Sequence, residues 1–525
     1  MTVAEMAAVL KNRGLLQKFI SYNKAEKAEQ EMENQKEAEM EIKWLTCDSR
    51  EVIPGTLFIC KGVAFRPEYL QQAAERGAIA GLMSGEVWKE LKGKMEGDAV
   101  HPRRLSAVLI ITDIRKAMAV VSAAFWGYEP GKPVLTGITG TKGKTTTAWY
   151  LKAMLDCWEK ENSGKETGLI STVENYDGVH REDAVMTTPE APTIHRMLAN
   201  ARAQNLRYLT MEVSSQALKY RRVKELRFHV GIFLNISEDH ISPAEHEDFE
   251  DYFSAKLSLF RQTEVACVNL DSDHGEQILL AAQRVRRVVT FGRNPRADIR
   301  YSGVRIEKGQ ISFRVSCDRF SQRFYLGMKG RFNIENAMAA IAAAYVYGVP
   351  PYCMEQALEQ TKVPGRMETF YNKERNICGV VDFAHNRLSF EKLFDAACGE
   401  YPEYTKIITV FGCPGGKALN RRRELGILAG RFSDFVCITS DDPGMECQEE
   451  IAKQVKSYVE LTGCPCISIA ERKEAIQYAV GLARESREKT LILALGRGCE
   501  KFQKIGQASC AYPTDAQMLR EALQA

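Results

Sequence analysis

Gly137-Ile138-Thr139-Gly140-Thr141-Lys142-Gly143-Lys144-Thr145-Thr146-Thr147 decides how this chain is read. An apolar run at 133–135 precedes it, and residues 148–155 after it have the composition of a helix. Strand, glycine-rich turn and helix start together form a phosphate cradle. Backbone N–H groups converge on anionic oxygens, Lys144 adds a point charge, and Thr145 offers a hydroxyl to a magnesium ion. The general pattern places glycine six positions before the lysine, where this chain has Ile138; Gly137 stands one place too early. Gly140-Thr141-Xaa-Gly143-Lys144-Thr145 is a narrower variant of the same cradle, which points to ATP or GTP.

The rest of the chain bounds the answer. Its 525 residues are too many for one core. A 45% hydrophobic and 26% charged composition is that of a soluble globular protein, and a net charge of +3 does not by itself imply a nucleic-acid surface. No apolar run is long enough to span a bilayer, and residues 1–10 lack the pattern of a signal peptide. The fifteen cysteines are scattered singly, which reads as buried or incidental thiols in a reducing cytoplasm rather than a metal or disulfide framework.

Three α/β blocks follow from alternating strand and helix patterns. The first, 1–132, opens with a helix over 2–16 and contains a charged, low-apolar insert at 24–41. The second, 133–362, holds the phosphate loop. It continues with apolar runs at 208–211 and 230–234, each leading toward a metal-competent group, Glu212 and His240. Acidic and imidazole groups at the C-terminal ends of parallel strands fit a ligand crevice. A helix over 252–260 carries Lys256, which alone reads as a solvated lysine. The third block, 363–525, alternates strands at 380–383, 407–411, 435–439 and 491–495 with helices, a second doubly wound sheet.

Six motifs occur in order: Gly140–Thr145, Glu212-Val213-Ser214-Ser215, Asn235 to His240, Tyr252 to Lys256, Gly330-Arg331-Phe332-Asn333 and Pro364-Gly365-Arg366-Met367-Glu368. Together they resemble the ATP-dependent Mur ligases of peptidoglycan synthesis, and within them the branch that makes the muramoyl tripeptide. The resemblance implies a central ATPase domain with a parallel sheet, between a UDP-binding α/β domain and a C-terminal Rossmann-like domain. It implies an enzyme that joins an amino acid, a diamino acid such as L-lysine or meso-diaminopimelate, to UDP-N-acetylmuramoyl-L-alanyl-D-glutamate through an acyl phosphate. ATP and Mg2+ are the implied cofactors, and the muramoyl dipeptide and the amino acid are the partners. Nucleic acid and membrane insertion have no part in it, and the implied state is a cytoplasmic monomer.

By the same resemblance, Gly140, Thr141, Lys142, Gly143, Lys144, Thr145, Thr146, Asn333, Asn336, Arg366, Asp382 and His385 bind ATP. Thr145, Glu212, His240 and a carboxylated Lys256 hold metal, with Lys144, Lys256 and His240 catalytic. Ser49, Arg50, Thr187, Thr188, Ser214 and Arg222 take the UDP-muramoyl peptide, and Asp441, Asp442, Gly496 and Glu500 the amino acid.

The chain departs from the family mainly in its third block. Diaminopimelate-adding members carry Asp-Asn-Pro-Arg, whose arginine clamps a distal carboxylate; here the segment is Asp441-Asp442-Pro443-Gly444. A carboxylate at Asp442 favours a cationic side chain such as lysine. Gly-Lys-Gly-His-Glu becomes Gly496-Arg497-Gly498-Cys499-Glu500, and Tyr-Ala-His-Thr-Pro becomes Phe383-Ala384-His385-Asn386-Arg387. Two other readings accompany the ligase: a non-catalytic paralogue that binds nucleotide and muramoyl peptide, and a polyglutamate-type ligase. Retention of Lys144, Glu212, His240, Lys256 and Arg366 favours catalysis over the former.

Overall fold

The computed structural model describes residues 1–22, 40–62, 65–94, 105–239, 241, 245–307, 310–374, 376–506 and 508–525. Most of the charged insert at 24–41, and His240, lie outside the described residues. The chain divides into two compact units. The first comprises Met1–Gly137, Gly164–Gly231 and Ala255–Glu264; the second comprises Ile138–Ser163, Ile232–Ser254 and Val265–Ala525.

In the first unit, β1 (Leu16–Ser21), β2 (Trp44–Thr46), β3 (Thr56–Cys60), β4 (Ala78–Ser84) and β5 (Ala107–Ile111) form a sheet in the order β1-β5-β4-β3-β2. β2 to β5 are parallel and β1 is antiparallel at the edge. β3 and β5 are buried along their whole length, as parallel strands covered on both faces must be. Alternate residues divide between two cores. Leu57, Ile59, Leu109 and Ile111 pack with the helices Val3–Asn12 and Ile114–Phe125. Phe58, Cys60, Val108 and Ile110 pack with Leu70 and Ala73 of the helix Pro67–Glu75. The helix expected over 2–16 stops at Asn12, because Gly14 turns into the left-handed region (φ 65°) and starts β1.

Further along the first unit are β6 (Val134–Thr139), β7 (Gly168–Ile170), β8 (Glu174–Tyr176), β9 (Arg181–Asp183), β10 (Tyr208–Glu212) and β11 (Phe228–Phe233). Their order is β11-β6-β10-β7-β8-β9, and the unit boundary cuts through β6 and β11. β10 and β7 pair in parallel; β8 and β9 continue antiparallel.

The second unit holds the remainder of β6 and β11 with β12 (Thr263–Asn269), β13 (Arg287–Gly292), β14 (Ile299–Glu307), β15 (Gln310–Ser316) and β16 (Ser321–Leu326), in the order β16-β15-β14-β13-β12-β11-β6. Its second sheet runs β17-β18-β22-β19-β20-β21, from β17 (Glu368–Tyr371), β18 (Ile377–Asp382), β19 (Lys406–Phe411), β20 (Phe435–Ile438), β21 (Cys466–Ser468) and β22 (Thr490–Leu495). All pairs but β17–β18 are parallel. Its two faces again split by alternation. Val380, Leu491 and Leu493 face the helices Arg387–Glu400, Asn420–Phe432 and Gln448–Glu460. Val381, Ile492 and Ala494 face Arg472–Glu485 and Asp515–Gln524. This is the second doubly wound sheet expected of the third block. Among the described residues no helix is long and apolar enough to cross a membrane.

Candidate active site

The phosphate loop leaves β6 at Thr139 and enters the helix Lys144–Glu161 through Gly143, whose φ of 87° suits glycine alone. A Cβ on Gly143 would stand 2.0 Å from Asn336 Oδ1, so the missing side chain is also what lets Asn336 approach the loop. Gly137, the glycine standing one place early, has a different reason. A Cβ there would lie 2.8 Å from the Phe228 ring on β11, so this glycine serves strand packing.

The loop is laced to the segment after β11. The Thr141 N–H donates to the Asn235 carbonyl (3.0 Å) and the Lys142 N–H to Asn235 Oδ1 (2.9 Å), while Asn235 Nδ2 returns a bond to the Lys142 carbonyl (3.1 Å). Thr141 Oγ1 accepts from Ser237 N–H and from the Tyr252 hydroxyl, each at 3.1 Å. Lys144 Nζ curls back onto the carbonyls of Gly140 (2.9 Å) and Thr141 (3.2 Å). Thr145 and Thr146 are buried in the first turn.

Lys142 reaches Asp239 at 3.2 Å, and burial holds its amine down to about 8 against the pull of that carboxylate. Asp239 also accepts from Asn386 Nδ2 (2.8 Å) and Arg421 (3.2 Å). Beside them, Asp382 ends β18 and accepts from the N–H groups of Met367 and Ala384 (both 2.8 Å); burial raises its carboxyl nonetheless. His385 is held well below its usual range, first by burial and then by the charges of Lys142 and Arg421. Arg366 lies over the Phe383 ring at 4.5 Å. Asn333 and Asn336, both buried, are joined by a 2.9 Å bond. The expected ATP-binding residues of the second unit are thus gathered by the fold.

A second group forms within the first unit. Glu212, at the end of β10 and 1% exposed, accepts from Thr172 N–H (2.7 Å) and Oγ1 (3.2 Å). Thr172 Oγ1 is also hydrogen-bonded to the Thr187 hydroxyl (3.1 Å), and Thr188 Oγ1 bridges the Glu212 carbonyl (2.9 Å) and Ser214 Oγ (3.3 Å). Arg222 donates to the Thr188 carbonyl (3.0 Å) and pairs with Glu190 (3.0 Å), which also takes Lys61 at 2.6 Å. Lys256, on the helix Phe249–Leu257, is 2% exposed, not the solvated lysine its sequence alone suggests. Ser49 is buried against Gln72 Oε1 (3.0 Å), whereas Arg50 is exposed and forked onto Asp48.

The third group surrounds the altered motifs. Asp442 adopts a left-handed turn (φ 47°), and its Oδ1 accepts from Lys504 N–H (3.0 Å) and from Arg497 (3.4 Å). Arg497 is wholly buried and also donates to the Phe502 carbonyl (2.7 Å). The charge of Asp442, expected to meet a cationic substrate, is therefore answered from within the chain. Two acids remain. Burial raises Asp441, and burial together with Asp441 pushes Glu500 up to about 7. Gly496 lets Asp441 come close, since a Cβ there would lie 2.7 Å from its Oδ2. In the altered stretch after β19, Gly415 is required because a Cβ would strike the Pro443 carbonyl at 1.9 Å.

With this geometry in hand, the comparisons are specific. The Mur ligase middle domain matches residues 138–344, and the Mur ligase glutamate ligase domain matches 365–498. A UDP-N-acetylmuramoyl-L-alanyl-D-glutamate–L-lysine ligase of Enterococcus faecalis is 34% identical over 481 residues, 90% of each chain. The chain is a Mur ligase.

A 2,6-diaminopimelate ligase of Alkaliphilus oremlandii is 32% identical over 474 residues, covering 89% of this ligase and 92% of that one. A solved structure of a UDP-N-acetylmuramoyl-L-alanyl-D-glutamate–2,6-diaminopimelate ligase superposes with a TM-score of 0.59 at 21% identity, over 96% of this chain and 99% of that one; it shows the shared fold.

Several residues of the ligase's clusters escaped the motif reading: Asp239 and Arg421 as a pair, Asn386 as their third partner, and the Lys61–Glu190–Arg222 chain. Their partners stand 147 and 182 positions apart in the first set, so only the fold could join them. His240, expected at the end of β11, follows that strand's last residue, Phe233, by a further segment and is not among the described residues.

Proposed function

We propose that this ligase joins a diamino acid to UDP-N-acetylmuramoyl-L-alanyl-D-glutamate at the expense of ATP, with an acyl phosphate as intermediate. The observation that carries the reading is the phosphate loop itself. Lys144 lies across the loop carbonyls, and Asn336 fills the space that Gly143 leaves, in a chain aligned over 90% and 89% of its length with an L-lysine and a diaminopimelate ligase.

The chemistry sets the roles. A carboxylate is a poor acyl donor because oxide is a hopeless leaving group. Transfer of the γ-phosphoryl group of ATP to the D-glutamyl γ-carboxylate gives an acyl phosphate. The incoming amine attacks its carbonyl, a tetrahedral intermediate collapses, and phosphate leaves. Three polar partners must meet, so positioning and charge neutralisation dominate. In this proposal Lys144 and Arg366 neutralise the phosphates, Gly140 to Thr146 cradle them, Asn333 and Asn336 face the adenine, and Asp382 and His385 line the nucleotide. Ser49 and Arg50 take the uridine end, while Thr187, Thr188, Ser214 and Arg222 line the peptide channel. Asp441, Gly496 and Glu500 receive the amine, with Asp442 shaping the pocket through Arg497.

The donor chemistry suits magnesium: a buried hydroxyl at Thr145, a buried carboxylate at Glu212, the His240 imidazole and a carboxylated Lys256 are the groups that would hold it. Bound there, the ion supplies charge neutralisation to the phosphates. A carbamate on the buried Lys256 would add an anionic oxygen donor to this set. A three-domain division at 1–132, 133–362 and 363–525, a monomeric state and a cytoplasmic location complete the proposal.

Phosphate release measured with the muramoyl dipeptide and a panel of amino acids is the test. Release should require both substrates and should be strongest with a diamino acid. Lys256→Ala should abolish turnover, keep measurable ATP binding, and regain part of its activity with added short carboxylates. ATP binding without release across the whole panel would refute the reading in favour of a non-catalytic paralogue.

A further inference from the structure

The helix Lys144–Glu161, which begins at the phosphate loop, ends beside the helix Pro351–Gln360 within the second unit. There Cys157 Sγ lies 2.6 Å from Cys353 Sγ. Unbonded sulfurs do not rest this close, and a disulfide closes the gap to about 2.05 Å. Cys157 is half-exposed and also reaches Gln356 Oε1 at 3.3 Å; Cys353 is fully buried. Glu161 stands in the same cluster, its carboxylate accepting from the Tyr352 hydroxyl. The two cysteines are 196 positions apart, so the singly scattered thiols of the sequence conceal a pair.

We propose that Cys157 and Cys353 form a reversible disulfide, a redox modification site that ties the phosphate-loop helix to the helix Pro351–Gln360. The oxidant is a low-molecular-weight disulfide. Cys157, open to solvent, attacks one of its sulfurs; the oxidant's S–S bond breaks, one thiol leaves, and a mixed disulfide stands on Cys157. Cys353 then attacks the Cys157 sulfur and displaces the second thiol, which carries off the Cys353 proton. Two cysteine thiols have lost two electrons and two protons, and one small disulfide has become two thiols. Burial pushes the Cys353 thiol up to about 12, which places Cys157 first in the sequence.

A metal fits the cluster less well. Two thiolates on a tetrahedral zinc, with bonds of about 2.3 Å, stand roughly 3.8 Å apart. The observed separation is far shorter.

The experiment treats the full-length protein with glutathione disulfide, alkylates the remaining thiols, and reads intact mass and a peptide map. The expected result is the loss of two free thiols, about 2 Da, and a cross-linked peptide joining Cys157 to Cys353. Dithiothreitol should restore both thiols, and Cys157→Ser should lose the cross-link while Cys353 stays unmodified. A lasting glutathione adduct on Cys157 with no cross-link overturns the proposal, as does a bond from Cys353 to any other cysteine. So does one zinc per chain that survives dialysis and disappears in Cys157→Ser.

Discussion

Asp239 and Asp442 each collect cationic and amide donors, but in different surroundings. Asp239 draws Lys142, Asn386 and Arg421 around a phosphate loop whose own sequence is close to the family's. Asp442 draws Arg497 and the Lys504 amide in the region where the sequence departs most. At Asp442 a carboxylate replaces an amide, and at Arg497 a guanidinium replaces an ammonium; the two departures face each other at 3.4 Å. The added carboxylate of Asp442 is thus met by a cation inside the chain. The proposed donor half keeps the family's motif residues, while in the proposed amine half two departures pair with each other.

The largest effect is expected at the proposed donor half. Lys144→Ala should lower kcat by about a hundred- to a thousandfold, since it removes a fixed charge from the transferring phosphoryl group. A loss within a few-fold in single-turnover assays would mean the loop does not serve catalysis.

At the amine half, Arg497→Ala should cost about 2–3 kcal/mol in urea unfolding, because it removes a wholly buried guanidinium and leaves Asp442 without its ion-pair partner. In a double-mutant cycle with Asp442→Asn, a coupling near 1 kcal/mol is expected. Additive effects would show that the two departures are independent.

Glu500 gives a smaller, pH-dependent effect. Its carboxyl is raised from 4.5 to about 7, so the stability it contributes is fully present below 4.5 and is lost as pH rises through about 7. The ionised form that attracts an amine appears over the same rise. KM for the amino acid should fall by about tenfold between pH 6 and pH 8, and Glu500→Gln should flatten the profile. An unchanged profile in that variant would take Glu500 out of the pocket.

The smallest change is expected at Arg50, whose side chain is 83% exposed and paired only with its neighbour Asp48 among the contacts seen. Arg50→Ala should leave unfolding within about 0.5 kcal/mol of the parent and raise KM for the UDP-linked substrate a few-fold.

Much of this fold is legible as apolar runs. β3, β10, β11, β18, β19, β20 and β22 announce themselves because both faces of a parallel strand are covered. β1 and β14 do not, since they lie largely exposed at antiparallel positions and carry polar residues that read as loop or helix end. The loop residues and Glu212 could be found from local spacing. Lys256 needed the family likeness, because one lysine on a helix carries no sign of its burial. The Asp239–Arg421, Lys61–Glu190 and Asp442–Arg497 pairs needed the fold, since charge complementarity across long separations leaves no periodic trace.

The folded-back Lys144 sets a toll on entry to the loop. Two of the contacts of its ammonium are neutral carbonyls, acceptors that an anionic phosphate oxygen would outcompete. Adenosine would have nothing to offer in that exchange. On the proposed function, discrimination between a nucleoside and its triphosphate would begin with the posture of one side chain.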